Sequence, residues 1–323
     1  MQTERHAVGA RRQRQVKAGR IEHHPGTIKN TITKIGEITG RFARDARRQD
    51  HLTRRKQAGE RHAARVDDVP GTGNAQFGFP SFGAAAAAVA QGVPLMAVAA
   101  YLQEVPGGII SFESNPVRKP SDLEGKSIAV APFGATAILL PTFLKKNNVD
   151  TSKVNSVKSI FGAIVPSFLT GKVDTSIGHY FGEYLAARDK MAGSGKKVLF
   201  MRVSDFGVSA YGNGLVVNAD FMKSNPDATK RFIEVTMRGI KYTIDNTGEA
   251  AAAAAEHTKT PVALLHEQLK LAMEMINNKD AKMHGFGVMV KNKWDDTQSM
   301  QVQFGGQKGV VADDKLWTNR FVK

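Results

Sequence analysis

The chain of 323 residues contains no cysteine. That removes disulfides, thiolate metal sites and cysteine nucleophiles together, although it fixes no compartment, because exported proteins can lack cysteine too. Aromatic residues are scarce at 7%, with two tryptophans and five tyrosines. Long apolar runs are also scarce. An export signal needs about 7–15 apolar residues behind a few basic ones, and nothing before Pro70 supplies them. The "ARRQRQ" at residues 10–15 holds a twin arginine with no apolar segment behind it. The one long apolar run, residues 83–102, is mostly alanine and is broken by Gly92 and Pro94. It predicts a buried helix followed by a strand rather than a membrane span.

What is present divides the chain in two. Residues 1–70 carry 13 Arg and 4 Lys against 8 Asp/Glu, five of the nine histidines, and Phe42 as their single aromatic. Residues 71–323 carry 6 Arg and 22 Lys against 22 Asp/Glu. The overall charge of +15 is therefore concentrated in the first segment, which shows no sustained helical or alternating pattern beyond a short element in 27–40. Three readings stand for it: a solvated, disordered tail, a basic arm for nucleic acid or anionic lipid, and coding DNA read out of frame. A nucleic-acid arm would give salt-dependent binding, lost on deleting residues 1–70.

From Gly71 onward, strands and helices alternate. "AQFGF", "PLMAVAAYL", "GIISFES", "SIAVA", "KVNSVKSI", "VDTSIGHY", "KKVLFMRVSD" and "VSAYGNGLVVN" read as strands, interleaved with helices such as "FGAAAAAVAQ" and "AILLPTFLKKNN". The end is helical. In "NPDATKRFIEVTMRGIKYTIDN", Asn225 is the expected cap and Pro226 the first helical residue, with Ile233, Met237, Ile240 and Ile244 on one face. "DDKLWTNRFVK" is expected to tie the chain end down.

Enzyme signatures fail on inspection. "GKS" at 125–127 has Pro120 where a P-loop needs its first glycine, and "GTGNAQFG" has Gln76 where a dinucleotide fingerprint needs its third. Neither a G-x-S-x-G elbow nor an H-E-x-x-H helix occurs. No catalytic residue, metal site or cofactor is expected. The positive signal is a set of polar strand-to-helix turns, where open α/β sheets bind ligands. "PFGAT" offers Gly134, Ala135 and Thr136; "GHYFGEY" offers His179, Tyr180 and Glu183; "GFPSF" offers Pro80 and Ser81; "AYGNG" offers Tyr211 and Asn213. Plain turns and a structural histidine are the competing readings.

These stretches also carry a resemblance. "VPGTGNAQFGFPSFGAAAAAVAQGVPLMAVAAYLQ", "NPVRKPSDLEGKSIAVAPFGAT", "FLTGKVDTSIGHYFGEY", "NGLVVNADFMKSNPDATKRFIEVTMRGIKYTIDN" and "GGQKGVVADDKLWTNRFVK" resemble, in order, bacterial ABC-transporter substrate-binding proteins. The branch is the nitrate, taurine, sulfonate and thiamine-precursor type. The resemblance covers residues 71–323, while residues 1–70 do not match the usual signal peptide, first strand and "GYF…GLDV" region. It implies a two-lobed periplasmic-binding-protein (type II) α/β fold with C-terminal helices and an incomplete first lobe. Lobe one would be 71–115 plus 207–323, and lobe two 116–206, joined by two crossing strands.

It further implies a non-enzymatic monomer that captures a small organic solute between the lobes and delivers it to a membrane permease, without nucleic acid. Its place would be periplasmic or extracellular, although a chain with this N-terminus is expected to stay cytoplasmic. In that cleft Gly134, Ala135 and Thr136 would donate to a polar or anionic group. Tyr180, with Phe79, Phe82 or Tyr101, would pack on an apolar part, and Glu183 would accept from an amine or ring N–H. Fungal thiamine-pyrimidine synthases, which resemble the family, carry a cysteine-rich iron motif that this chain lacks.

Overall fold

The computed structural model describes residues 75–322; the readings made for the arginine-rich segment lie outside the described residues. In chain order, strand β1 (Phe77–Gly78) leads through helix α1 (Phe82–Ala90) to β2 (Leu95–Ala100) and β3 (Gly107–Phe112). Next come β4 (Ser127–Val130), α2 (Ala135–Lys146), β5 (Asn155–Lys158), α3 (Phe161–Leu169) and β6 (Thr175–His179). A π-helical turn (Tyr180–Tyr184) opens α4 (Leu185–Met191), and β7 (Val198–Arg202) and β8 (Gly214–Asn218) finish the strands. The rest is helical: α5 (Ala219–Ser224), α6 (Pro226–Asp245), α7 (Thr247–Thr258), α8 (Val262–Ile276), α9 (Lys279–His284), α10 (Lys291–Phe304) and α11 (Asp313–Leu316). No helix among the described residues is long and apolar enough to cross a membrane.

The strands form two sheets, of order β1–β8–β2 and β5–β4–β6–β3–β7. The near-continuous apolar sequences of β2, β3 and β4 have a direct cause: each of these strands is covered on both faces. Along β2, Leu95 and Ala97 enter one core while Met96 and Val98 enter another. Along β4, Ile128 and Val130 face the core holding α2, whereas Ala129 faces the core holding Phe168 of α3. Ile109 and Ile110 of β3 divide in the same way. This period-two division is what a pleated strand imposes, and each fully buried Ile, Leu or Phe contributes about 1.5–3 kcal/mol.

Helix punctuation follows the sequence in places. Ser81 caps α1 by accepting from the Ala84 N–H at 3.3 Å, and Gly92 takes a positive φ of 87° just past the helix end. The expected Asn225 cap does not form. Its side chain instead donates to the Phe221 carbonyl at 3.4 Å, closing α5 rather than opening α6. The tie-down is real: the Thr318 N–H donates to the Ala97 carbonyl at 2.9 Å, covering the outer edge of β2, and Leu316 is fully buried.

One boundary differs from the sequence reading. β3 does not continue the sheet of β2; it lies between β6 and β7, antiparallel to both. The chain therefore changes sheets at residues 101–106, ahead of 115, and returns at 203–213. These two segments pair with each other. The Leu102 N–H donates to the Asn213 carbonyl at 3.0 Å, the Gly212 N–H to Leu102 at 3.1 Å, and the Val105 N–H to Ala210 at 3.0 Å. Two crossing segments, the candidate hinge, thus connect the sheets.

Candidate functional site

The parallel strands β5, β4 and β6 all end on the same side of their sheet, the side where open α/β sheets bind ligands. From β4 the chain turns through Phe133 and Gly134 into α2. Gly134 is the cap residue, with φ 86° and ψ −168°, backbone that essentially only glycine adopts. Having no side chain, it leaves the first N–H groups of α2 without a side-chain acceptor. The neighbouring α3 starts in the same way behind Ile160, again with no side-chain cap and no acidic residue in its first turn. Two adjacent helix N-termini therefore keep their partial positive charge unneutralised.

Exposed apolar side chains frame these N-termini. Phe133 is 45% exposed, Phe161 49% and Ile160 74%. The two phenyl rings meet edge to face at 5.7 Å, and Phe161 lies 3.6 Å from where a Gly134 side chain would begin. Gly134 and Ala135 are exposed beside them, while Thr136 is buried, its Oγ1 without a hydrogen-bond partner. The structure thus brings Gly134, Ala135 and Thr136 together with an aromatic wall that sequence reasoning missed. A signal existed: "FGA" occurs at both 133–135 and 161–163, placing phenylalanine beside a helix start that has no polar cap.

Phe79, Pro80 and Ser81 form the turn between β1 and α1. Asn213, in the hinge, donates to the Phe79 carbonyl at 3.3 Å, and the Gly214 N–H donates to Pro80 at 3.1 Å. The turn is thereby clipped to the hinge. Phe79 lies 6.2 Å from the Tyr101 ring. Burial pushes the Tyr101 phenol up to about 12 despite its hydrogen bond with Asn213, so it stays a neutral donor. Within the hinge, burial also raises the Glu104 carboxyl, opposed by the charges of Arg202 and Lys293.

At the end of β6 the three expected residues play other parts. Glu183 folds back: Oε2 accepts from the His179 N–H at 2.8 Å and faces His179 Nδ1 at 3.3 Å. Burial alone would raise this carboxyl, but the His179 hydrogen bonds and charge overcome it and hold the pKa at about 2. Glu183 is thus engaged within the π turn rather than presented to a solute amine. Tyr180 stacks on Tyr184 at 5.4 Å, tilts against Phe200 at 4.9 Å and lies under the Arg202 guanidinium at 4.7 Å. It buttresses the Leu102, Met275 and Ile276 cluster that Tyr101 also touches. Tyr211 stands apart from the cleft. It is 3% exposed, packed between Phe82 and Trp294, and its hydroxyl accepts the Val290 N–H at 2.7 Å. Burial raises its pKa further than that of Tyr101. Phe82 is fully buried in the same core.

Because the folded Glu183 pKa lies below the usual carboxylate range, its stabilisation is complete above about pH 4.5 and is lost as pH falls towards 2. Glu183→Gln is expected to destabilise the protein by roughly 2 kcal/mol at neutral pH, with the difference from the parent shrinking below pH 4. Denaturant melts across pH 2.5–7 check this; a pH-independent difference would place the effect elsewhere.

A half-open groove of about 260 Å³ lies away from these residues. It lies between the C-terminal half of α2 and α10, lined by Thr142, Lys145, Lys146, Ser209, Asp296 and Met300 among others.

Comparison with known proteins agrees with this architecture. A family described as "NMT1/THI5 like" matches residues 59–250, starting inside the arginine-rich segment. The riboflavin-binding protein RibY of Chloroflexus aurantiacus is 23% identical over 238 residues, 72% of this chain and 66% of that protein. The 4-amino-5-hydroxymethyl-2-methylpyrimidine phosphate synthase of Legionella pneumophila is 22% identical, over 57% of this chain and 58% of its own. The chain therefore spans less than two thirds of the length of these relatives. Among solved structures, the aliphatic sulphonate-binding protein SsuA of Escherichia coli superimposes with a TM-score of 0.62 at 13% identity, covering 89% of this chain and 88% of that one. The putative SsuA of Methylobacillus flagellatus gives 0.62 at 13% identity, covering 80% and 76%. At such identity the likeness shows the fold, which is the two-lobed periplasmic-binding-protein type.

Proposed function

From membership of the NMT1/THI5-like family, to which this chain belongs, we propose that it is a solute-binding component of an ABC import system. It captures a small organic solute between its lobes outside the cytoplasm and passes it, unchanged, to a membrane permease. The observation that carries this reading is the exposed Phe133–Phe161 pair beside the uncapped start of α2. Exposed apolar groups at convergent polar donors are the ordinary makeup of a ligand site. In this reading the Phe79 and Tyr101 rings, 6.2 Å apart, would supply a second apolar wall from the first lobe.

The chemistry favours a solute with a flat, apolar part for the aromatic walls and a hydrogen-bond acceptor for the α2 N–H groups and Thr136. Glu183 no longer argues for an amine, since His179 holds it. Both RibY and the SsuA neighbours are named as binding proteins. The synthase relatives supply the competing reading, in which the solute is chemically altered.

The test is thermal melting with a panel containing riboflavin, an aminopyrimidine and an alkanesulfonate. A solute at about 100 times its Kd adds roughly 2.7 kcal/mol, and a flat heteroaromatic member is expected to raise Tm by several degrees. Phe133→Ala with Phe161→Ala should remove at least tenfold of that affinity while leaving the solute-free melt nearly unchanged, because both rings are half exposed. Equal stabilisation of parent and double variant would move the site off this wall.

A further inference from the structure

We infer that the groove on the far side of the hinge is a latch that holds the lobes open and thereby sets the apparent solute affinity. This rests on the solute-binding reading above.

Helix α10 is a strut belonging to the first lobe. Its first half is anchored there: Trp294 is fully buried and stacks on Phe82 at 4.7 Å, Lys293 donates to the Gln103 carbonyl, and the Tyr211 N–H donates to Thr297 Oγ1 at 3.0 Å. Two polar contacts from α10 cross to the second lobe. Lys146 Nζ approaches Asp296 at 3.4 Å, and Lys145 Nζ donates to Gln303 Oε1 at 3.1 Å. Met300 packs against the second-lobe core between these contacts. They border the 260 Å³ groove, whose floor is Val208 and Ser209 of the returning hinge segment.

The lever is α2. Its 12 residues run about 18 Å, from Gly134 in the cleft to Lys146 in the groove. The hinge lies between, with Tyr101 and Asn213 on the cleft side and Val208 and Ser209 on the groove side. A rotation that carries Gly134 towards Ser81 swings Lys146 away from Asp296. Closing the cleft therefore breaks the Lys146–Asp296 and Lys145–Gln303 contacts and widens the groove. Every solute that binds the closed form must overcome them, so its apparent Kd is raised by the fraction of molecules held open.

The absence of cysteine makes the test clean. Asn155→Cys in β5 and Lys223→Cys in α5 are both exposed, one on each lobe, and carry nitroxide labels for a pulsed dipolar distance measurement without solute. Asp296→Ala breaks the ion pair and is expected to shift the distribution away from that of the parent. Gln303→Glu turns the Lys145 contact into an ion pair and should shift it the opposite way. With the solute that raises Tm, Asp296→Ala should bind about two- to fivefold tighter and Gln303→Glu weaker by a similar factor, the range that exposed ion pairs supply. A helix contact that only stabilises the fold would not move the two variants in opposite directions. Unchanged solute-free distances, or shifts of both variants in one direction, overturn the latch. If the distances shift as expected and no solute changes them in any variant, the latch stands and the solute-binding reading fails.

Discussion

Replacing Trp294 with alanine is expected to cost about 3–5 kcal/mol, on the order of 10 °C in Tm for a chain of this size. The ring is fully buried, stacked on Phe82 at 4.7 Å and 22°, and set against Tyr211 at 5.5 Å. Its removal opens a large cavity among groups that cannot collapse into it. Phe82 is held by α1, and Tyr211 by its hydrogen bond with the Val290 N–H. The indole Nε1 is buried without a hydrogen-bond partner, so no polar contact is lost and the whole cost is packing. Trp317, half-buried near the chain end, should cost distinctly less when truncated. Scanning calorimetry of the two variants checks the order; equal losses would contradict a core centred on Trp294.

The second large effect is expected at Gly212. A side chain there would begin 2.6 Å from the Glu104 carbonyl oxygen and 2.8 Å from Leu102 Cβ, both on the opposing hinge segment. Gly212→Ala must spread the two segments, weakening the Gly212–Leu102 and Leu102–Asn213 hydrogen bonds and the one that Gly212 accepts from the Phe82 N–H. A loss of about 2–4 kcal/mol follows, with weakened solute binding because the first-lobe turn is clipped to the same segment. Gly248 in α7, where a side chain meets nothing within 4 Å, is the control. Gly248→Ala should be neutral or stabilising by up to about 1 kcal/mol. Chemical denaturation of both variants separates them, and a harmless Gly212→Ala would mean the segments do not touch as described.

Much of this organisation was legible in the residues because it depends on local pattern. "LMAVAA" and "SIAV" read as buried strands because both their faces are apolar, and Ser81 and Gly92 bracket α1 by cap and left-handed backbone. What failed depends on partners distant in sequence. "GGIISF" looks the same whether β3 continues the sheet of β2 or joins β6 and β7, and only pairing decides. Tyr211 beside two glycines resembles a pocket residue until Trp294, far along the chain, is seen against it. Glu183 and His179, four residues apart, satisfy each other only because the turn between them is π-helical. The aromatic wall escaped because nothing local marks Phe133 and Phe161 as exposed; their exposure follows from where two parallel strands end.

The most direct measurement is titration calorimetry of the purified chain with the solute that raises its Tm, followed by mass analysis of the solute recovered from the cell. Saturable binding of one solute per chain is expected, reversed on dilution, with the solute recovered chemically unchanged. Turnover of the solute, or no saturable binding by a chain whose melt shows it folded, would contradict it.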